Sequence, residues 1–438
     1  MPASLATVVY GALVLALFWL DRDRESQASW TLWLAVAWLL IGASRAISAW
    51  PPVQTTGLQA DVEAGRLDVA VVTCLLVAGL IVLVSRGPLT GNILRANGPL
   101  LAFFLYCAVS VLWSDDPFVA FKRWTKGLGN LVMVLVVLTD PDSLTAVKRF
   151  LARPAFFVLP VSVWLIKYYP QFGQEYDPLG NRYYIGLTTG KNGLGAACLI
   201  FGLASFWRLL QAIRDADTSN RAGAMLANSA VLLIALGLFT KIDSATSLAC
   251  FMAGSGLILV TSVSEIARKS SMVHLFTAAL AFVAVAGVFF GATDVVQTLG
   301  RESTLTGRTA LWNDVLRLTV DPLFGAGFES FWLGGRLEEI WRLYWWHPNQ
   351  AHNGYLEVFL NLGWTGVALL AFVMASGYRN VVRSLSRNPE VGGLKLAYFV
   401  VALLYNLTEA AFKVMHPVWI ACLLAVTQVP EPSGELEQ

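Results

Sequence analysis

Thirteen stretches of this chain, near residues 4–20, 30–49, 67–85, 98–113, 125–139, 154–169, 193–209, 226–240, 246–263, 273–291, 354–376, 393–407 and 414–428, are almost wholly apolar. About 20 apolar residues cross a bilayer core as a helix, and lipid offers no partner to an unpaired peptide group. The expected fold is therefore all-α, a polytopic integral membrane protein with about 12–13 transmembrane helices. Composition agrees, because 56% of the 438 residues are apolar and only 14% are charged. A soluble core built from them would leave large apolar patches in water. The expected organisation is 1–291 as N-terminal transmembrane helices, 292–350 as a long external loop with short amphipathic helices, 351–428 as C-terminal transmembrane helices, and 429–438 as a cytoplasmic tail. The N-terminal stretch lacks a basic leader and a small-residue cleavage site, so it is expected to stay as the first span, with no soluble domain appended.

Net charge is only +2, which argues against nucleic acid as a partner. Cys74, Cys107, Cys198, Cys250 and Cys422 lie within apolar stretches without metal or redox spacing, and four histidines leave little for a His-rich metal centre. Basic loop residues set the orientation. Fifteen, including Arg86, Arg95, Arg208, Arg379, Arg383 and Arg387, fall in one alternating set of loops, and eight in the other, which also takes the long segment. The richer set is expected to be cytoplasmic. Cations on the poorer face, Lys122, Arg123, Arg182, Lys191, Arg301 and Arg308 among them, suit either interface anchors or an external anion site such as a phosphate-bearing lipid headgroup.

The long segment carries a helical pattern. Ser303 or Thr306 can cap a helix to about Thr319, with Ala310, Leu311, Val315 and Leu318 on one face and Asp321-Pro322 as its stop. Arg308 falls in its first turn, where free N–H groups favour an anion and a guanidinium adds a planar fork for phosphate; a plain surface arginine is the alternative. Phe324-Gly-Ala-Gly-Phe328 allows close backbone approach, and Trp332, Trp341, Tyr344, Trp345 and Trp346 are expected to form a belt at the membrane surface. Asn353 is a good N-cap, placing His352 just outside a helix start, where an uncharged imidazole is favoured and can accept a proton. On residue chemistry alone His352 is either such a base or a satisfied interfacial residue. Gly363 and Gly366 are expected to let another helix approach, and Glu409 lies near the outer end of a late span. Asp115-Asp116 is expected to cap a helix, and Gly186 to Lys191 lacks the spacing of a nucleotide phosphate loop.

His352-Asn353, nine residues, Gly363, two residues, Gly366 resembles the signature of the O-antigen ligase superfamily, which includes O-antigen and exopolysaccharide polymerases. Gly307-Arg308, Asp321 to Gly327, Trp113 to Pro117 followed by Lys122-Arg123, and Lys191 to Gly195 are similar to the same superfamily. Together with Asp243 to Ser247, the last of these looks closer to the exopolysaccharide polymerase branch. Val367-Ala368 depart from the paired threonines of many ligases.

The resemblance implies a GT-C-like, inverting glycosyltransferase without metal or cofactor, in the bacterial inner membrane with its active site facing the periplasm. Its donor would be an undecaprenyl-pyrophosphate-linked oligosaccharide and its acceptor a glycan or lipid A core, with other polysaccharide assembly and export proteins as further partners. His352 would be the base. Arg308, Arg182 and Lys191, with Arg123 and Arg301 behind them, would hold the pyrophosphate, while Glu409, Asn353 and Tyr355 would orient the base or bind sugar. Positioned arginines can stabilise a departing diphosphate in place of a divalent ion. The alternatives are a ligase attaching finished glycan to lipid A core or protein, and a transporter or flippase of a lipid-linked sugar, although the repeated halves of transporters are not evident.

Overall fold

The computed structural model describes residues 1–22, 28–49, 65–176, 180–214, 220–263, 269–290 and 304–430. It is all-α and polytopic. Among the described residues the β-structure is a short antiparallel pair, Gln174–Tyr176 with Arg182–Tyr184. Each of the thirteen apolar stretches falls on a helix, but they are unequal. By length and composition six can cross a membrane: Ala3–Leu20, Arg66–Ser85, Ser143–Tyr168, Lys191–Arg214, Arg221–Phe239 and Gly354–Arg387. A seventh is formed if Gly87–Ala96 and Gly98–Trp113, bent by 89°, count as one span. Pro117–Leu138 is long enough but carries Lys122, Arg123 and Lys126, and several of the others stop early. Pro417–Val426 has ten residues, all buried, so it extends only about 15 Å and is wrapped by protein, not lipid.

The chain divides into two compact units, Met1–Thr90 with Asn130–Ser255, and Gly91–Gly129 with Gly256–Gln438. In the first, Ser143–Tyr168 starts where Asp142 accepts a hydrogen bond from the Thr145 N–H, and it buries one face against neighbouring helices. Two ion pairs are built into this unit, Arg86 with Asp140 at 3.4 Å and Arg208 with Asp21 at 2.7 Å. Arg86 also donates to the Ser29, Thr31 and Thr139 hydroxyls and the Val136 carbonyl, so the buried charge is well satisfied. Two blocks of the sequence resemblance meet here. Lys191 lies 3.7 Å from Asp243, and a Cβ on Gly195 would come within 2.5 Å of the Ser247 hydroxyl.

In the second unit, the described part of segment 292–350 is a folded cap. Helices Thr304–Arg317 and Gly334–Leu343 enclose a core of Leu311, Val315, Ala326, Phe331, Ile340, Ala351 and Leu360. Leu311 and Val315 are buried as their spacing predicts, whereas Ala310 is exposed. The aromatic belt is only partly a surface. Trp345 and Trp346 are exposed, but Trp332 donates to Glu357, Trp341 to the Pro348 carbonyl and Tyr344 to Asp314 at 2.7 Å. Each polar tip found a protein partner, which turns these rings into internal braces. Burial, then Asp314, push the Tyr344 hydroxyl up to about 12, so it remains a donor.

Candidate active site

The helix Gly354–Arg387 is two helices joined at a break. Gly363 has φ 63° and ψ −168°, outside helical values. The freed N–H groups of Trp364 and Thr365 donate to the Pro322 and Leu323 carbonyls, at 2.9 and 3.1 Å. Gly363 and Gly325 interlock backbone to backbone: a Cβ on Gly363 would lie 2.3 Å from the Leu323 carbonyl, and one on Gly325 would lie 2.4 Å from the Asn361 carbonyl carbon. The first signature glycine thus admits the Asp321 to Gly327 turn, not a neighbouring helix as expected. A Cβ on Gly366 would strike Leu362 on the other side of the same break, 2.2 Å away. Gly363→Ala should lower the midpoint of thermal unfolding, since the left-handed backbone alone costs about 1–3 kcal/mol and the turn must also retreat. An unchanged midpoint would show the turn to be unimportant.

The Trp113 to Pro117 block joins the same assembly. Ser114 and Ser330 hydroxyls lie 2.7 Å apart, the Phe328 N–H donates to Ser110, and Arg336 pairs with Asp115. Asp116 caps the helix Pro117–Leu138 by accepting from the Val119 N–H at 3.0 Å, in the role its position predicts.

Asn353 caps the next helix, its Oδ1 accepting from the Tyr355 and Leu356 N–H groups at 3.0 Å. Its amide nitrogen donates to the Leu407 carbonyl at 3.1 Å, while the Gly354 N–H donates to the carbonyls of Asn406 and Glu409. A Cβ on Gly354 would lie 1.8 Å from Asn406 Oδ1. These contacts join the Ala351–Gly354 strap to the 406–409 turn and deliver three side chains to one place. Arg308 Nη2 lies 3.3 Å from Glu409 Oε1, and His352 Nδ1 lies 3.2 Å from Glu409 Oε2. Arg308 Nη1 also donates to the Thr408 carbonyl at 2.6 Å. The Glu409 side chain is 7% exposed, with Arg308 and His352 at 21% and 20%, so the carboxylate is enclosed while its two partners reach solvent.

An ionised carboxylate can only accept, so the ring nitrogen facing it must donate. In the neutral imidazole this assigns the proton to Nδ1 and leaves the Nε2 lone pair free. The Gln350 amide, 3.4 Å from Nδ1, then meets that N–H best through its oxygen. His352 has φ 52°, a strained conformation for a non-glycine residue, and the strap is held firmly enough to keep it.

Glu357 does much of that holding and was not singled out by the sequence reasoning. It accepts from the Ala351 N–H and, at 3.0 Å with each oxygen, from Trp332 Nε1. Its signal in sequence is faint: an acid four residues past an N-cap, close to but not at the capping-box position.

The other expected residues are placed differently. Arg123 donates to the Glu329 carbonyl, and the Tyr355 hydroxyl donates to the Leu403 carbonyl at 3.0 Å. Arg182 and Lys191 belong to the first unit, where Arg182 lies over the Tyr184 ring and Lys191 over Tyr183. Arg301 and Ser303 lie outside the described residues.

Residues 218–373 match the family model described as O-Antigen ligase. ExoQ, an exopolysaccharide production protein of Rhizobium meliloti (strain 1021), is 28% identical over 317 residues, covering 66% of this chain and 67% of that protein. The matched family segment contains Arg308, His352 and both signature glycines; Glu409, which Arg308 and His352 both touch, lies beyond it. The chain is thus similar, over these residues, to the O-antigen ligase family and to an exopolysaccharide production protein, and it shares a polytopic helical fold with membrane proteins of that kind.

Proposed function

We propose that this protein is a glycosyltransferase that extends a surface polysaccharide, transferring undecaprenyl-pyrophosphate-linked glycan units to an acceptor sugar hydroxyl at the periplasmic face of the inner membrane. The observation that carries this reading is the single Glu409 carboxylate holding Arg308 on one oxygen and His352 on the other. A hydroxyl is a poor nucleophile, and a base in hydrogen-bond reach contributes about 10²–10⁴ in rate. His352 Nε2 takes the acceptor proton as the acceptor oxygen bonds to the anomeric carbon. The bond from that carbon to phosphate breaks, and the electron pair leaves with the pyrophosphate. Attack opposite the leaving group inverts the anomeric centre. Arg308 has five N–H donors and commits only some of them to Thr408 and Glu409, leaving others to meet phosphate oxygens as their charge develops.

In this reading no resident metal is required. Polymerase is favoured by the name of the exopolysaccharide relative. The description of the matched family favours the second reading, a ligase moving finished glycan to lipid A core or protein. Membranes containing the protein should lengthen chains when supplied with lipid-linked repeat units alone. Product formed only after a core acceptor is added would establish the ligase reading, and movement of lipid-linked sugar without any new glycosidic bond would refute both.

A further inference from the structure

At the far end of the helix that His352 precedes, a groove of about 290 Å³ lies wholly within the second unit. Its lining changes character along one helix face. Phe372 comes first, then Ser376, then Arg379 and Asn380, then Arg383. These positions recur at helical spacing, and Phe372 to Arg383 covers about 16 Å along the axis. Asn97 and Gln428 complete the polar end, joined by hydrogen bonds of 2.8 and 2.9 Å in both directions, while Asn380 donates to the Val426 carbonyl at 3.1 Å. The polar rim is therefore built, with its amides fixed by the fold.

Neither guanidinium is neutralised within that rim. Arg383 touches the Asn380 amide oxygen at 3.3 Å, and among the described residues no carboxylate pairs with Arg379 or Arg383. Arginines in a helix's last turns are favoured by the dipole and by snorkelling. Those effects require neither a walled groove nor an apolar floor leading to the charges. An exposed phenyl ring, at 58%, below a pair of arginine forks set four residues apart matches a molecule with a hydrocarbon chain and an anionic phosphate head.

We propose that this groove binds an anionic phospholipid, the phosphate between Arg379 and Arg383 and an acyl chain along Phe372, in the leaflet opposite to the Arg308–His352 site. The site is separate from the glycan chemistry and does not depend on it. Charge complementarity favours an anionic head over a zwitterionic one, and the apolar floor favours a lipid over free phosphate.

The test uses delipidated full-length protein in neutral detergent, read by thermal unfolding. Phosphatidylglycerol should raise the midpoint, and phosphatidylcholine with the same chains or inorganic phosphate should not. The shift should be lost in Arg379→Gln/Arg383→Gln and largely kept in Arg379→Lys/Arg383→Lys. If the double glutamine variant does not fold, each single glutamine variant should show a reduced shift. Native mass spectrometry of the wild type should retain phosphatidylglycerol in preference to phosphatidylcholine. Equal responses to the two lipids, a shift from inorganic phosphate alone, or an undiminished shift in folded glutamine variants would overturn the proposal. So would a phosphatidylglycerol response seen only in Glu431→Gln/Glu435→Gln/Glu437→Gln, because the acidic C-terminal residues would then be the occupant.

Discussion

Replacing His352 with alanine should lower product formation by about 10²–10⁴-fold, the usual contribution of a positioned base. Binding of the lipid-linked donor should change little. Arg308 keeps both of its anchors in this variant, the Thr408 carbonyl and the Glu409 carboxylate, so the guanidinium proposed to hold phosphate remains where it was. Arg308→Ala should behave differently and lose donor binding together with rate. Turnover of purified protein, paired with equilibrium binding of labelled donor, separates the two. Normal turnover by the His352 variant would remove it as the base, and normal donor binding by the Arg308 variant would remove the arginine from the phosphate.

Glu409→Gln should be nearly as damaging although it keeps the side chain's shape. An amide can turn its NH₂ toward Nδ1, which then must accept, placing the ring proton on Nε2 and abolishing the lone pair that faces the acceptor. The corresponding acid-to-amide substitution, Asp to Asn, in a Ser-His-Asp triad has a large effect for this tautomer reason. The expected loss is on the order of 10²–10⁴ in kcat. Donor affinity should fall as well, since Arg308 loses its charged partner. Glu409→Asp, still a pure acceptor, should recover part of the rate. A merely structural role would lower the unfolding midpoint of both variants and spare kcat in whatever protein remained folded. Equal kcat for Glu409→Gln and wild type would end the case for Glu409 as a positioning residue.

The positions of the two groups at the centre of this account were visible in the chain because their signals are local, while their expected roles came from the family resemblance. Asn353 is a cap by residue type, which put His352 at a helix boundary, and Arg308 stood near a predictable helix start, although the helix begins at Thr304 and so carries Arg308 just past its first turn. The position of the hydrophobic stretches was equally local, and every one became a helix. Their lengths were less predictable, because hydropathy does not distinguish a span in lipid from a ten-residue helix buried in protein such as Pro417–Val426. What depends on tertiary contact was hidden. Gly363 looked like a helix-packing glycine because periodicity runs through it, and only its φ of 63° and the carbonyls of Pro322 and Leu323 reveal the break. Glu357 and the dual role of Glu409 join residues whose proximity no spacing encodes; Arg308 and Glu409 are 101 positions apart.

The central claim is that Arg308 and His352 act on one substrate through a shared carboxylate, and a double-mutant cycle on turnover tests it most directly. Single-turnover rates would be compared for wild type, Arg308→Gln, His352→Gln and the double variant. Groups coupled in one network deviate from additivity by about 0.5–3 kcal/mol, so the double variant should be clearly faster than the product of the two separate losses predicts. Losses that multiply to within about twofold would mean that the two side chains act independently, contradicting the shared site.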